Sequence, residues 1–313
     1  MVIILEYNLI IVTLAAAVRS GTPILFATLG EIFTERAGIL NLGLEGLMLI
    51  GALSGFVSAY YTSSLLLSLI FAMLAGGIFS LIFAFLTISL KTNQVVSGLA
   101  LTMLGTGISA FFGQYFIGET AVHFNSFAIP ILNEIPFLGP VLFNHDILVY
   151  ISYFLAPLLW YFLFYTRPGL ELRSVGENPV AADSAGINVF KIRYVYVIAG
   201  GMLTALGGAY LSLAYTSMWI ENMSAGRGWI AIALVIFASW NPLKAVFGAY
   251  LFGGVSALRL RLEALGTAIP SHILMMAPYI LTLLVLILSS SEKMKKKLGA
   301  PTAVGTAYSR EDK

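Results

Sequence analysis

Val175-Gly176-Glu177-Asn178-Pro179-Val180-Ala181-Ala182-Asp183-Ser184-Ala185-Gly186-Ile187 lies inside a polar stretch, 167–193, that interrupts an otherwise apolar chain. Both ends of a short helix are marked in it. Asn178 suits the N-cap, Pro179 suits the first helical position, where its missing N–H costs nothing, and Gly186 can take the left-handed conformation that ends a helix. About seven helical residues span about 10 Å, too short a helix to be stable alone in water. It therefore needs a surface to lie on. The small alanines suit docking against a partner protein, and the same pattern serves equally for a capped turn between two membrane spans.

Outward from this stretch the chain is apolar almost throughout. It has 313 residues, 59% hydrophobic and 10% charged, with a mean hydropathy of +0.91, and runs of about 20 apolar residues recur along it. The fold class is all-α, a polytopic integral membrane protein. A net charge of +2 gives no reason to expect nucleic acid, and the absence of cysteine excludes disulfides and thiolate metal sites. With three scattered histidines, no metal site is expected. The chain contains neither a phosphate-cradling Walker loop nor a nucleophile–base constellation. No catalytic residue is expected, and any energy source must be another chain. Residues 2–18 read as a retained first span, not a signal peptide, because no small-residue cleavage site follows them.

Candidate spans fall at 2–18, 22–34, 38–60, 64–90, 95–118, 147–165, 194–218, 228–240, 243–260 and 271–290. About eight crossings remain if 22–34 and 228–240 are re-entrant, so the expectation is 8–10 helices with short broken ones among them. Residues 1–292 form one transmembrane domain and 293–313 a basic tail. Lys and Arg concentrate in short cytoplasmic loops. Lys91, the stretch 167–193 and the tail lysines Lys293, Lys295, Lys296 and Lys297 then fall inside, while the loop 119–146, with Glu119, Glu134 and Asp146 but no Lys or Arg, falls outside. Both termini come out cytoplasmic, at the cost of leaving Arg259 and Arg261 on the outer side. On the ten-span reading, 22–118 and 194–290 are four-span runs entering the membrane from opposite sides. Each carries an Arg before a Gly-containing apolar segment, Arg36-Ala37-Gly38-Ile39 and Arg227-Gly228-Trp229-Ile230. An inverted repeat of this kind places a pathway near the midplane in many transporters.

A second informative stretch is Gly30-Glu31-Ile32-Phe33-Thr34-Glu35-Arg36-Ala37-Gly38-Ile39-Leu40-Asn41-Leu42-Gly43-Leu44-Glu45-Gly46-Leu47-Met48. Its three carboxylates and one arginine flank or enter the bilayer, where an unpaired charge costs at least ~2.5–3.5 kcal/mol. Such charges line a cavity or pair. Glu31 or Glu35 can pair with Arg36, whereas Glu45 has no basic neighbour within a helical turn. Gly38, Gly43 and Gly46 permit either close helix packing or a break. Asn93 and Gln94, followed by Ser97-Gly98, add neutral hydrogen-bonding groups and read equally as a loop with a polar helix start. Tyr60-Tyr61, Trp160-Tyr161 and Trp240 sit near span ends and read as interface belts.

Four ordered motifs carry a family resemblance: Gly30-Glu31 through Arg36-Ala37-Gly38-Ile39-Leu40-Asn41-Leu42-Gly43-Leu44-Glu45-Gly46; Asn93-Gln94-Val95-Val96-Ser97-Gly98-Leu99-Ala100; Val175-Gly176-Glu177-Asn178-Pro179 with Ala181-Ala182 and Ala185-Gly186-Ile187; and Gly226-Arg227-Gly228-Trp229-Ile230-Ala231-Ile232-Ala233 with Trp240-Asn241-Pro242. From about residue 20 to 290 the chain resembles the permease subunits of bacterial ATP-binding-cassette importers, in the superfamily that serves ribose-type sugars, branched-chain amino acids and nucleosides. It is most similar to the nucleoside-type permeases. Trp229 departs from the pattern, which has Phe more often. The resemblance implies a second, non-identical permease subunit, separate ATPase subunits that use ATP and Mg, and an extracytoplasmic solute-binding protein or lipoprotein, all at the bacterial cytoplasmic membrane. No cofactor is expected on this chain itself. It also implies that 167–193 is the cytoplasmic coupling segment, with Gly176, Glu177, Asn178, Pro179, Ala181, Ala182, Ala185 and Gly186 at the ATPase contact. Glu31, Asn41, Glu45, Asn93, Gln94 and Arg227 are the candidates for the translocation pathway. Nucleosides are the first expectation for the solute and ribose-type sugars the second; an ion-coupled secondary transporter using Glu45 is the rival class.

Overall fold

A computed structural model describes residues 2–264, 266, 270–289 and 299–308. The tail lysines Lys293, Lys295, Lys296 and Lys297 lie outside the described residues. Helix α1 (Val2–Arg36) is unbroken, where two spans were expected at 2–18 and 22–34. Its 35 residues measure about 52 Å, well beyond the ~30 Å of a hydrocarbon core. Arg19, Gly21 and Pro23 read as a loop in sequence, yet each has a place on a continuous helix. The Arg19 side chain is exposed and donates to Ala214 O at 3.3 Å, and Gly21 is where the backbone of Ala249 approaches. The ends of α1 consequently lie far apart. Arg261 donates to Leu9 O at 3.2 Å and to Thr13 Oγ1 at 2.7 Å, whereas Arg36 donates to Gly299 O in the tail at 3.2 Å. The start of α1 and residues 299–308 thus occupy opposite ends of the bundle. The expectation of both termini on one side counted two crossings here, where the structure has one unbroken helix.

The helices that follow are α2 (Leu44–Thr62), α3 (Leu65–Ala84) and α4 (Gln94–Gly113). The loop beyond them holds a two-residue antiparallel pair, β1 (Phe127–Ala128) with β2 (Asn144–His145), around α5 (Leu138–Leu142). Next come α6 (Ile147–Tyr165), α7 (Arg167–Glu177), α8 (Pro179–Ser184) and α9 (Val189–Tyr210). The chain closes with α10 (Arg227–Phe237), α11 (Pro242–Ala264) and α12 (Ser271–Ser289). Among the described residues, seven helices are long and apolar enough to cross a membrane; α10, at 11 residues, is shorter. Single π turns, Phe85–Ser89 and Leu211–Tyr215, extend α3 and α9.

Small residues bring α2 and α9 to the centre. A Cβ on Gly51 would overlap the backbone of Ala205, and one on Gly208 would overlap that of Met48. The helices cross with backbones nearly touching, the arrangement that lipid-embedded helices use because apolar burial alone gives them no drive to associate. Gly30 opposite Gly200, with Gly207 opposite Pro23, makes α1 antiparallel to α9, while Gly51–Ala205 and Gly55–Ala209 make α2 parallel to it. Element order then repeats. A long helix, a break, and three further helices describe both α1–α4 (break 37–43) and α9–α12 (break 216–226), with the leading helices running in opposite directions.

Candidate functional site

The two breaks meet at Glu45. It occupies the first turn of α2 and is 6% exposed. Its Oε1 accepts hydrogen bonds from Ser224 Oγ and from the Gly226 amide at 2.7 Å, and its Oε2 accepts from the Gly228 amide at 2.7 Å. Gly226 and Gly228 flank the start of α10, whose first amides have no partner within their own helix. A carboxylate from one half of the bundle therefore caps the positive end of a short helix in the other half. Such charge-assisted bonds are roughly twice as strong as neutral ones. A Cβ on Gly228 would overlap the backbone of Glu45 and lie 2.8 Å from its Oε2, so the glycine is what lets the carboxylate in. Arg227 turns elsewhere, donating to Met223 O and Ser224 O at 3.2 Å and lying 5.2 Å from the centre of the Tyr215 ring. Glu45 and Arg227 come together through backbone, not as an ion pair.

The other break, 37–43, is held from three sides. Glu31 Oε1 accepts from the Asn41 amide at 2.9 Å, and Asn41 Oδ1 in turn accepts from Gly43 at 2.8 Å. Gln94 Oε1 accepts from Leu40 at 2.8 Å, and Thr102 donates to Leu42 O at 3.0 Å. Irregular backbone buried in a protein must have its amides and carbonyls satisfied there. Glu31, Asn41 and Gln94 are all buried and meet that need. Asn93 stands apart: exposed, it caps α4 by accepting from Val96 at 3.1 Å. At the end of α1, Glu35 takes the indole N–H of Trp240 at 2.6 Å, and Arg36 donates to Trp240 O at 3.2 Å. The pairing of Glu35 with Arg36 gives way to this bridge, and Trp240, read as an interface aromatic, is 6% exposed.

Residues 13–288 match the family described as the branched-chain amino acid transport system / permease component. This chain belongs to that family of permeases. A Haloferax volcanii protein provisionally named as a glucose ABC transporter permease is 40% identical, over 95% of this chain and 97% of its own. A nucleoside ABC transporter permease of Lactococcus lactis is 37% identical over 92% and 93% of the two chains, and a guanosine ABC transporter permease of Bacillus subtilis 39% identical over 84% and 87%. The permease is thus a multi-pass membrane subunit of an ABC importer, a class that works with ATPase and substrate-binding partners.

In the permease the polar stretch forms two helices, not one. Thr166 caps α7 by accepting from Gly169 at 3.3 Å, with Pro168 in its first turn. Asn178 caps α8, accepting from Ala181 at 3.0 Å. Gly186, at φ +86°, ends it, with Ile187 N–H bonded to Ala182 O at 3.0 Å and Gly186 N–H to Asp183 O at 3.0 Å, a closure that needs the left-handed residue. Glu177, Asn178, Ala181, Ala185 and Gly186 are exposed and Pro179 is half-buried, but Gly176 and Ala182 face inward. Ala182 packs with Val175, Val189 and Tyr308.

At the opposite end of the permease lies a cavity of about 750 Å³ that the sequence did not disclose. Arg19, His145, Tyr215 and Arg261 line it from four separate elements, and no local motif unites them. Burial pushes the His145 imidazole down from its usual pKa and raises the Asp146 carboxyl beside it. Asp146 also caps α6, accepting from Leu148 and Val149 at 3.0 and 3.2 Å.

Proposed function

We propose that this permease forms the translocation pathway for nucleosides. The reading is carried by similarity over nearly the whole chain to permeases named for nucleoside and for guanosine. The relative named for glucose makes a sugar the second reading; a nucleoside and a sugar share the hydroxylated ring. The carboxylate bridge at Glu45 supports a pathway near the two breaks, where half-helix ends and freed backbone groups gather in transporters. Glu45 accepts three hydrogen bonds from the segment that opens α10, which supports a hinge between the two halves.

Energy enters at α8, through an ATPase subunit that receives its exposed face, and a second permease subunit of different sequence and an external binding protein complete the importer. In this reading α7, α8 and the tail are cytoplasmic at the inner membrane of a bacterium, and the start of α1 is outside. Uptake of labelled guanosine, uridine, ribose and glucose, compared in cells with and without the gene, tests it. Nucleoside uptake that depends on the gene is expected, and uptake of sugars alone would replace nucleosides with the second reading.

A further inference from the structure

Residues 299–308 lie across the end of the bundle that carries α7 and α8, and almost every one of their anchors is a different element. Arg36, closing α1, donates to Gly299 O at 3.2 Å. Thr302 Oγ1 donates to Glu177 O, and the Ala303 amide donates to Gly176 O at 2.9 Å, so the segment pairs with the last residues of α7. Ala303 also abuts the break, its O lying 3.4 Å from where a Cβ on Gly38 would stand. Gln94, which holds Leu40 with one end of its amide, reaches Thr306 O with the other at 3.5 Å. Tyr308 is 6% exposed and packs with Val175 of α7, Ala182 of α8 and Val189 of α9. Its ring lies 5.9 Å from the guanidinium carbon of Arg193, a side chain only 1% exposed whose Nε and Nη2 have no hydrogen-bond partner among the described residues. An aromatic face is attractive to a cation so placed.

We propose that residues 299–308 are a strap that makes α7, α8 and the break between α1 and α2 one mechanical unit. Helix α8 has six residues and is joined to its neighbours by short irregular links, so a push on α8 alone would bend those links. With the strap bonded to α7 on one side, and on the other bonded to Gln94 and packed against Gly38 of the 37–43 break, the push reaches the Glu31–Asn41–Gln94 cluster instead. Coupling carried in this way runs through an element that both sites bias. The inference rests on the reading of α8 as the ATPase contact.

The test reconstitutes the permease with its ATPase and binding protein in proteoliposomes and measures solute imported per ATP hydrolysed. Three variants are compared with wild type: a chain ending after Leu298, Tyr308→Ala and Tyr308→Phe. The shortened chain and Tyr308→Ala should retain the ATPase on copurification and keep hydrolysing ATP, while solute per ATP falls about five-fold or more. Tyr308→Phe keeps the ring over Arg193 and its packing with Val175, Ala182 and Val189, and should import more solute per ATP than Tyr308→Ala. If the shortened chain does not express, the two Tyr308 variants decide the matter alone. Unchanged stoichiometry in Tyr308→Ala, or a loss of uptake and hydrolysis in equal proportion, would overturn the strap. A wild-type permease that retains no ATPase would instead refute the reading of α8.

Discussion

Glu45 satisfies three donors at once, and its chemistry separates two substitutions that look mild. Gln keeps the length of Glu45 but presents one oxygen and an NH2 group, so one amide at the start of α10 loses its acceptor and the charge facing the helix N-terminus disappears. A hydrogen bond to a charged group contributes ~1.5–3 kcal/mol, and a loss of that order is expected in the thermal unfolding of Glu45→Gln together with reduced uptake. Gly228→Ala should do comparable harm by overfilling the contact, typically ~1–3 kcal/mol, with the carboxylate itself untouched. Trp229→Phe, at a side chain 37% exposed, should change little. Uptake and melting temperature measured for all three decide whether the bridge, and not the local wording of the motif, carries function; a harmless Gly228→Ala would sink it. Glu45 stood out in the sequence because no basic residue lies within a helical turn of it. Its partners did not stand out, since Ser224, Gly226 and Gly228 are about 180 residues distant and two of them contribute only backbone.

Elements with strong local signals were legible. Asn178, Pro179 and Gly186 mark both ends of α8 as read, because a cap and a left-handed terminator act within a few residues. Helix α7 was hidden: Gly169 and Gly176 discourage a helix by propensity, and the burial of Leu172 and Val175 overrides that. The sequence also could not tell which alanine of α8 faces out, since six residues make under two turns. The structure sorts them, and the sorting is testable. Ala185→Trp adds bulk to an exposed position and should leave the permease folded while weakening ATPase copurification. Ala182→Trp overfills the contact with Val175, Val189 and Tyr308 and should lower expression or melting temperature first. Equal ATPase retention in wild type and Ala185→Trp, read by pull-down of the partner subunit, would leave α8 as no more than a capped turn.

At the scale of the whole molecule, the helix order was readable from apolar run length, and one misplaced break changed the count of helices at the start of the chain. Splitting α1 at Arg19–Pro23 added a crossing, because a charge, two small residues and a proline in five positions read as a loop unless a neighbouring helix occupies the gap. A countervailing signal was present: no Lys or Arg precedes Arg19, and Glu6 is the one charged side chain before it. Short flanks poor in Lys and Arg favour the outer side, which agrees with a single crossing by α1. The chain contains no cysteine, so introduced thiols report their own positions. Ser126→Cys should react with a membrane-impermeant maleimide in intact cells, and Ser184→Cys only after the cells are opened. An epitope tag ahead of Met1 should bind antibody from outside, and one beyond Lys313 only from inside. Ser126 and the amino-terminal tag must therefore report the same side, since α1 runs unbroken from Leu9, near Arg261, to Arg36, near Gly299. A tag and Ser126 that report opposite sides would require α1 to cross twice or not at all, and the packing of α1 against α9 and α11 could not then be the one that the membrane holds.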